Sequence, residues 1–267
     1  MTLNNNYKRK TVLITGASTG IGYELAKLFA EDGYNLVLVA RNLERLKLVA
    51  DQLYKSFHTK VKIIGKDLSI IGSAEEIYDE LIDNSIEIDV LVNNAGAGSC
   101  GLFHETDYQK DVEIIHLNIT SLTILTKLIS RSMIERRKGK ILNIASTGAY
   151  QPGPYIAVYY ATKAYVLSFS EAITNELKDF GIKVSTVCPG ATKTEFSHRA
   201  GKADIKSAMD AKQVAKIAYE GLNRNKKLII PGNINKIAII LSKLLPGKIS
   251  ASMVRGIQQR LVEQMRS

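Results

Sequence analysis

Short β-branched segments alternate regularly with longer amphipathic segments, and this alternation limits the folds open to the chain more than any other feature. The predicted strands are residues 11–15, 36–39, 61–64, 90–92, 140–145, 183–188 and, after a change of texture, 227–230. One stretch of helical periodicity separates each of the first six from the next. Strands that alternate with helices build a parallel sheet covered on both faces. We therefore predict an α/β fold with a doubly wound parallel β-sheet of about seven strands.

The chain is expected to form one domain with a helical C-terminal extension. Its 267 residues are compatible with one or two domains, but no linker-like change of composition interrupts the pattern before Pro189. We therefore treat residues 1–267 as a single domain. The predicted helices are residues 21–31, 43–56, 73–82, 109–135, 158–178 and 214–222, followed by two more that are separated at Pro246-Gly247.

Each of the last two predicted helices carries an apolar stripe. The stripes are Ile234, Ile237, Ala238, Leu241, Leu244 and Leu245 in the first helix, and Ile249, Met253, Ile257, Leu261 and Met265 in the second. Such stripes more often contact a core or another subunit than anchor a protein to a membrane. We therefore expect both stripes to be buried by protein.

The positive charge of the chain is concentrated near its C-terminus. Residues 1–192 carry 21 basic and 21 acidic side chains, whereas residues 193–267 carry 15 and 5, and the net charge is +10. A basic block can bind nucleic acid, an anionic membrane surface or an acidic substrate, but most such blocks are solvated surface. The charge distribution alone leaves these alternatives open.

Composition excludes several classes of protein. The 45% hydrophobic and 23% charged residues are typical of globular domains and exclude disordered and collagen-like chains. No run approaches the roughly 20 uninterrupted apolar residues that span a bilayer, and the first ten residues lack a leader-like apolar segment. Cys100 and Cys188 lie far apart, and the four histidines are not clustered, so no disulfide framework and no metal site are predicted. We expect a cytoplasmic protein.

A glycine-rich turn joins the first predicted strand to the first predicted helix. It reads Thr15-Gly16-Ala17-Ser18-Thr19-Gly20-Ile21-Gly22. Glycines let the backbone approach a pyrophosphate closely, and the N–H groups and dipole of a helix N-terminus favour negative charge. An ordinary strand-to-helix turn is the alternative. Its position after the first strand of an α/β repeat favours dinucleotide binding.

The G-x-x-x-G-x-G spacing of this turn differs from the common G-x-G-x-x-G and resembles that of the short-chain dehydrogenase/reductase family. Further motifs of the family follow in order: Asn93-Asn94-Ala95-Gly96, Asn118, Ser146, Tyr159 with Lys163, and Pro189-Gly190. Ser146 lies 13 residues before Tyr159, the usual interval in the family. The resemblance extends over residues 8–194 and implies a Rossmann fold that exchanges a hydride with a nicotinamide dinucleotide.

Tyr159 and Lys163 are coupled by helical spacing even without the family. Positions i and i+4 place both side chains on one helix face. A neighbouring ammonium favours the phenolate and so lowers a tyrosine pKa from its ordinary value of about 10. In isolation such a pair is more often a surface contact. Here Ser146 and Asn118 occupy the positions expected from the family motifs, which favours a catalytic pair.

The resemblance implies a catalytic set of four residues. Tyr159 would protonate the carbonyl oxygen during reduction and act as the base in the reverse direction. Lys163 would lower the pKa of Tyr159 and hydrogen-bond the nicotinamide ribose. Ser146 would hold the substrate oxygen, and Asn118 would support a water relay to Lys163.

The end of the second strand favours NADP(H) over NAD(H). NAD-specific folds place an acidic residue there to bind the ribose 2′-hydroxyl, but the sequence reads Val39-Ala40-Arg41-Asn42. The planar fork of Arg41 matches a 2′-phosphate, and Ser18 would add a hydroxyl, as in NADP-using family members. An exposed residue at a helix start is the alternative for Arg41.

The remaining cofactor contacts are implied by position in the family motifs. The whole predicted set is Gly16, Ser18, Thr19, Gly20, Ile21, Gly22, Arg41, Asp67, Leu68, Asn94, Ala95, Gly96, Tyr159, Lys163, Pro189, Gly190, Thr192 and Thr194. Asp67 and Leu68 would lie near the adenine, and the last four residues would surround the nicotinamide. Family members often have Val in place of Thr192, so a backbone contact is expected at that position.

Substrate specificity in the family resides in loops beyond the strand ends, here residues 97–103, 147–155 and the segment after Thr194. Residues 195–267 would supply the substrate lid and the basic amphipathic helices. The predicted pocket residues are Tyr150, Pro152, Pro154, Tyr155 and Phe196, which would otherwise pack the loops against the body. With the basic block they suggest a hydrophobic carbonyl or alcohol substrate, either acidic or presented at a membrane surface.

Three classes of function compete. An NADP-dependent carbonyl reductase or alcohol dehydrogenase is favoured because all four catalytic positions are present. A non-catalytic dinucleotide sensor or membrane-surface scaffold would be expected to lose Tyr159 or Lys163. No nucleic-acid partner is expected, since no helix-turn-helix, zinc or aromatic platform accompanies the basic block. The resemblance also implies a homodimer or homotetramer, paired through the helices that hold Asn118 and Tyr159.

Overall fold

Runs of Val, Ile and Leu form the central sheet of the computed structural model, which describes residues 9–205 and 207–266. The strands are β1 Thr11–Thr15, β2 Asn35–Ala40, β3 Val61–Gly65, β4 Val90–Asn93, β5 Gly139–Ile144, β6 Ile182–Val187, β7 Thr192–Lys193, β8 Met209–Asp210 and β9 Leu228–Ile229. Seven of these form one sheet in the order β3-β2-β1-β4-β5-β6-β9. All of its neighbouring strands are parallel. The predicted doubly wound α/β fold is confirmed.

Amphipathic helices cover both faces of this sheet. They are α1 Gly20–Glu31, α2 Leu43–Phe57, α3 Ser73–Asp83, α4 Tyr108–Ile115, α5 Leu122–Glu135, α6 Ala157–Leu177, α7 Phe196–Arg199, α8 Ala211–Asn223, α9 Asn233–Leu244 and α10 Gly247–Arg266. One core cluster joins the sheet to Leu25 and Phe29 of α1 and Leu222 of α8. The other joins it to Ile77 of α3 and Ile129 of α5. Burial on both faces explains why the strand sequences are apolar throughout rather than alternating.

The strand order reverses between β1 and β4. In an open parallel sheet, loops that leave neighbouring strands toward opposite faces open a crevice at the carboxyl edge, where such folds bind ligands. The glycine turn follows β1, the Asn93 motif ends β4, and Ser146 follows β5. The topology therefore brings most of the sequence motifs to one edge.

The predicted helix over residues 109–135 contains a change of pitch. A π-helical turn, His116–Ser121, separates α4 from α5. By length and composition the run Tyr108–Glu135 is the one helix in the described chain that could cross a membrane. However, Leu125, Ile129 and Met133 are buried in the core against the sheet, so the α5 part of the run packs as a core helix.

The last two helices lie at the predicted positions but with their apolar stripes outward. Ile234 is 82% exposed and Leu244 is 76% exposed. On α10, Met253 is 59% exposed, and only Leu261 of its predicted stripe is buried. Most of both stripes is therefore not buried in the chain's own core, so the core alternative is excluded, and burial against another subunit stays a prediction. The opposite faces of the helices, which carry several polar side chains, contact the body instead.

Candidate active site

Steric crowding explains the glycines of the turn after β1. A Cβ atom at Gly22 would lie 2.4 Å from the carbonyl oxygen of Gly16 and 2.5 Å from Asn94 Nδ2. Gly16 and Gly20 adopt φ angles of +65° and +57°, which side chains disfavour. At Gly20 a Cβ atom would also lie 2.9 Å from Thr194 Cγ2. The glycines therefore allow the turn to pack against neighbouring loops at distances that leave no room for a side chain.

The start of α1 has the properties of a phosphate site. Its N-cap residue, Thr19, makes no side-chain capping hydrogen bond, and the first turn contains no acidic residue. The helix dipole and the first N–H groups therefore lack a capping side chain, which suits an anion. Ser18 and Ile21, the other predicted contacts in the turn, are partly exposed beside them. The turn fits the pyrophosphate of a dinucleotide.

Asn94 ties the glycine turn to β4. Its Nδ2 donates to the carbonyl oxygens of Thr15, at 2.9 Å, and Gly16, at 3.1 Å. Thr15 Oγ1 accepts hydrogen bonds from the backbone N–H groups of Asn94 and Ala95, both at 3.0 Å. Thr15 was not singled out in the sequence, although its position directly before the first glycine is a signal. Asn94 and Ala95 therefore shape the crevice floor from within.

Arg41 lies beyond the carboxyl end of β2, at the edge of the crevice. Its guanidinium lies 3.6 Å from the Asp67 carboxylate, and its side chain is 63% exposed. Asp67 in turn accepts hydrogen bonds from the backbone and hydroxyl of Ser69. The next residue, Leu68, is held through its carbonyl by Ser121 Oγ at 2.6 Å. An exposed guanidinium with one weak ion pair is free to bind an anion.

Tyr159, Lys163 and Ser146 meet where α6 passes the end of β5. Lys163 Nζ donates to the carbonyl oxygen of Ile144 at 2.8 Å and lies 5.7 Å from the centre of the Tyr159 ring. Ser146 begins a 3₁₀ turn and accepts a hydrogen bond from the N–H of Gly148. The Ser146 side chain also interacts with the Tyr159 hydroxyl. The i, i+4 spacing on α6 thus places the two side chains together as predicted.

Burial controls the protonation of this group. It raises the pKa of Tyr159 above its ordinary value, although the hydrogen bond from Ser146 opposes the rise. Burial thus sets the net direction of the Tyr159 pKa shift, and its lowering by Lys163 stays a prediction. Burial also lowers the pKa of Lys163 to about 8. At neutral pH Tyr159 holds its proton, and Lys163 remains largely charged.

Asn118 lies in the π-helical turn and is almost fully buried. Its Nδ2 donates to the carbonyl of Ala97 and to Thr162 Oγ1, both at 2.9 Å, and its Oδ1 accepts from the N–H of Ala97. A Cβ atom at Gly96 would lie 3.3 Å from both Asn118 Oδ1 and Lys163 Nζ. The side-chain amide of Asn118 thus makes hydrogen bonds to the backbone of Ala97 and to Thr162. No sequence motif indicated Thr162 as a partner. Asn118 therefore fixes the loop after β4 beside Lys163.

The loop after β6 closes the crevice on the predicted nicotinamide side. The carbonyl of Pro189 accepts a hydrogen bond from the N–H of Thr147, and Thr192 Oγ1 donates to the carbonyl of Gly190. A Cβ atom at Gly190 would lie 2.4 Å from Asn235 Oδ1. Asn235 of α9 was missed, because a contact between positions 45 residues apart has no local signal. Gly190 is therefore required for the approach of α9.

Phe196 forms part of the wall beside Tyr159. Their ring centres are 5.0 Å apart, and a Cβ atom at Gly98 would lie 2.9 Å from the Phe196 ring and 3.3 Å from Tyr159. Tyr150, in contrast, packs in a small core cluster, with the Cys188 thiol 3.9 Å from its hydroxyl. Of the predicted pocket residues, Phe196 thus lies at the site and Tyr150 supports the loop.

Lys202 and Gln258 form a buried polar pair that the sequence analysis did not predict. Lys202 is 9% exposed, and its Nζ donates to Gln258 Oε1 of α10 at 3.3 Å. Gln258 also hydrogen-bonds the side chain of Tyr160, next to Tyr159. Burial raises the pKa of the nearby Cys100 thiol to about 11, and Lys202 opposes the rise. The C-terminal helix is therefore attached to the body through contacts of Gln258 with Lys202 and Tyr160.

We also compared the crevice with potential metal sites and with two surface cavities in the described part of the chain. No group of three or more His, Cys, Asp or Glu side chains among the described residues is arranged to hold a metal ion. Two surface cavities of about 310 and 320 Å³ lie away from the crevice. The lining residues of the first include Glu171 and Lys227, and those of the second include Tyr78 and Ile129. Neither cavity is lined by a residue predicted for the site.

Comparisons with known proteins identify the family of the chain. The model of the short chain dehydrogenase family matches residues 10–205. The chain is 30% identical over 268 aligned positions to the 17-beta-hydroxysteroid dehydrogenase type 3 of Rattus norvegicus, covering 96% of this chain and 83% of the relative.

Two solved structures share the fold at similar identity. A short-chain dehydrogenase from Sphingobium yanoikuyae in complex with NADPH matches with a TM-score of 0.81 at 33% identity. The bulky-bulky ketone specific alcohol dehydrogenase from Comamonas testosteroni matches with a TM-score of 0.76 at 32% identity. Each match covers 88% of this chain and 93% of the other. The chain belongs to the short-chain dehydrogenase/reductase family of oxidoreductases, which act on CH–OH and C=O groups.

Proposed function

We propose that this protein is an NADP(H)-dependent oxidoreductase that reduces the carbonyl group of a hydrophobic substrate or oxidises the corresponding alcohol. The observation that carries the proposal is the meeting of Tyr159, Lys163 and Ser146 beside the glycine turn. A proton donor, a buried cation and a hydroxyl converge at the edge of the sheet that also fits a dinucleotide.

The proposed mechanism assigns each side chain one task. When bound, the nicotinamide supplies or accepts the hydride. Tyr159 donates its proton to the carbonyl oxygen, and the raised pKa keeps that proton in place at neutral pH. Ser146 donates a hydrogen bond to the same oxygen.

Two further side chains support the proton transfer. The Lys163 ammonium, held by Ile144, stabilises the negative charge that develops on Tyr159 when its proton leaves. Asn118 is a positioning residue, since its amide holds Ala97 and Thr162 beside Lys163.

The preference for NADP(H) rests on Arg41. The guanidinium is mostly exposed at the end of β2, where an NAD-specific fold would place a carboxylate. A 2′-phosphate would compete with Asp67 for this side chain and would form shorter, charge-assisted hydrogen bonds. The Sphingobium yanoikuyae relative, whose structure is a complex with NADPH, supports the same preference.

Calorimetric titration of the purified protein tests the cofactor, because the chain contains no Trp whose fluorescence could report binding. We expect NADPH to bind at least tenfold more tightly than NADH. Arg41→Ala should remove most of this preference, whereas Arg131→Ala on the exposed face of α5 should retain it. Equal affinity for the two nucleotides in the unmodified protein would contradict the preference, and no binding of either would contradict the function.

A hydrophobic substrate is supported by the wall beside Tyr159. Phe196 and Gly98 form an apolar surface there, and the named relatives act on steroids and bulky ketones. Turnover with a panel of ketones of increasing apolar size tests this proposal. We expect kcat/KM to rise with apolar size and to fall at least tenfold in Phe196→Ala.

We further propose a homo-oligomer located in the cytoplasm. Tyr108 and Val112 on α4 and Tyr165 on α6 are exposed on the helices that flank the site, as a subunit contact requires. Both cysteines are free thiols, which suits a reducing compartment. Light scattering should give the mass of a dimer or tetramer, and Val112→Lys should shift it toward the monomer.

A further inference from the structure

The two C-terminal helices present their apolar faces to solvent. Large side chains between 43% and 82% exposed run along both helices: Ile234, Ile237, Ile240, Leu241 and Leu244 on α9, and Ile249, Met253, Ile257 and Met265 on α10. We call this set the outer stripe. On soluble proteins, exposed large apolar residues are usually scattered singly over the surface, whereas these residues form a continuous group.

The inner faces of the same helices show that this orientation is specified by contacts. On α9, Asn235 donates to the carbonyl of Pro231 and packs against Gly190, while Ile239 is buried. On α10, Ser250 Oγ donates to Gln151 Oε1, and Gln258 accepts from Lys202. Rotating either helix to bury the outer stripe would break these contacts and leave polar groups without partners.

The charge around the outer stripe identifies its partner. Helices α9 and α10 together carry six basic side chains and one acidic side chain, Glu263. Lys236, Lys248 and Arg255 are exposed on the same two helices. Long basic side chains can keep their charge in water while their stems lie along an apolar surface.

A second copy of the chain is a poor match for this surface. In a symmetric pair the same patch faces itself, so the basic rim of one copy would lie against the basic rim of the other. Like charges brought together in this way oppose association. An anionic lipid surface instead offers negative charge to the rim and an apolar interior to the stripe.

We propose that the outer stripe of α9 and α10 docks the protein on an anionic membrane surface, with the helices lying in the plane of the interface. The apolar side chains enter the boundary between headgroups and acyl chains, and the lysine and arginine residues contact lipid phosphates. Gln258 contacts Lys202 and Tyr160, so α10 is attached to the body by a different face from the one that carries the docking surface.

Sedimentation with vesicles tests the docking directly and does not depend on turnover. The full-length protein is mixed with vesicles of phosphatidylcholine alone or with one-third phosphatidylglycerol, at low and high salt. We expect binding to the anionic vesicles, weakened by salt. The double variants Ile237→Ser/Leu241→Ser and Met253→Ser/Ile257→Ser should each reduce binding at least tenfold, since each removes two large apolar side chains from the interface.

Matched controls separate docking from folding. Ile71→Ser removes an isoleucine that is 85% exposed outside the C-terminal helices, and it should leave vesicle binding unchanged. Lys236→Gln/Lys248→Gln should reduce binding to anionic vesicles and flatten its salt dependence. Calorimetric titration with NADPH should be unaffected in every variant, which shows that the crevice is intact even if the enzyme assay fails.

Three outcomes would overturn the proposal. The first is no sedimentation with anionic vesicles at low salt. The second is equal sedimentation of the unmodified protein and both stripe variants. The third is a fall in oligomeric mass of the stripe variants without any vesicle binding by the unmodified protein, which would assign the outer stripe to a second copy of the chain.

Discussion

The crevice and the C-terminal helices arrange polar and apolar groups in opposite ways. In the crevice, Asn94, Asn118 and Lys163 are directed inward and held by backbone carbonyls or neighbouring hydroxyls. On α9 and α10 most of the large apolar residues face outward, and Ser250 contacts the body beside buried apolar residues such as Ile239 and Val254. A site for a small molecule needs fixed donors within a packed frame, whereas a docking surface needs an exposed apolar face. The same chain thus satisfies two different requirements in neighbouring regions.

The largest expected effect concerns the proton donor in the crevice. Tyr159→Phe removes the hydroxyl but keeps the ring that packs on Phe196. We expect kcat to fall by about 10²–10⁴-fold with little change in NADPH affinity. Steady-state kinetics and calorimetric titration measure the two quantities, and activity within a few-fold of the unmodified protein would remove Tyr159 from the proposed mechanism.

A substitution in the glycine turn tests how tightly the crevice is packed. Gly22→Ala places a methyl group 2.4 Å from the carbonyl oxygen of Gly16 and 2.5 Å from Asn94 Nδ2, so the turn or β4 must move. We expect the free energy of unfolding to fall by about 1–3 kcal/mol and NADPH binding to weaken. Urea unfolding measures the stability, and an unchanged midpoint would show that the turn yields easily.

Titration of Lys163 gives a smaller, pH-dependent effect in the cofactor-free protein. Burial lowers its pKa from 10.5 to about 8, so between these pH values the unfolded chain binds more protons than the folded protein. Stability from this group therefore rises with pH across that window. We expect the Tm of the unmodified protein, measured relative to that of Lys163→Met, to increase from pH 7.5 to 10. A constant difference would mean that Lys163 titrates normally.

The smallest effect comes from a glycine of the C-terminal helices. A Cβ atom at Gly256 of α10 would meet no atom within 4 Å, and Ala favours a helix over Gly. Gly256→Ala should therefore stabilise the protein by about 0.5–1 kcal/mol, opposite in sign to Gly22→Ala. Thermal unfolding of the two variants compares the regions directly, and destabilisation by both would show that the exposed helix is also closely packed.

Local patterns predicted the sheet and most of the residues brought to its edge. Strands that are buried on both faces are apolar throughout, so they can be recognised in the sequence. The spacing of Tyr159 and Lys163 already places them on one helix face. The partners of these residues were harder to predict, because Thr162 and Asn235 make contacts that only the folded chain creates.

The orientation of the last two helices could not be derived from periodicity. A stripe such as Ile234, Ile237 and Leu241 shows that a helix has an apolar face, but it does not say whether protein or another apolar medium covers that face. In this chain the contacts of Asn235 and Gln258 with the body fix the orientation of the two helices. Each contact depends on a residue distant in sequence.

The π-helical turn between α4 and α5 makes the site sensitive to the number of residues as well as their identity. Such a turn holds one more residue than the α-helical turn it replaces, and Asn118 lies within it. Deleting a single residue from His116–Ser121 would restore a regular helix and rotate everything on one side of the deletion by about 100°. Asn118 would then lose either Ala97 or Thr162. Length changes in this segment should therefore be rarer among active homologues than substitutions on its exposed face.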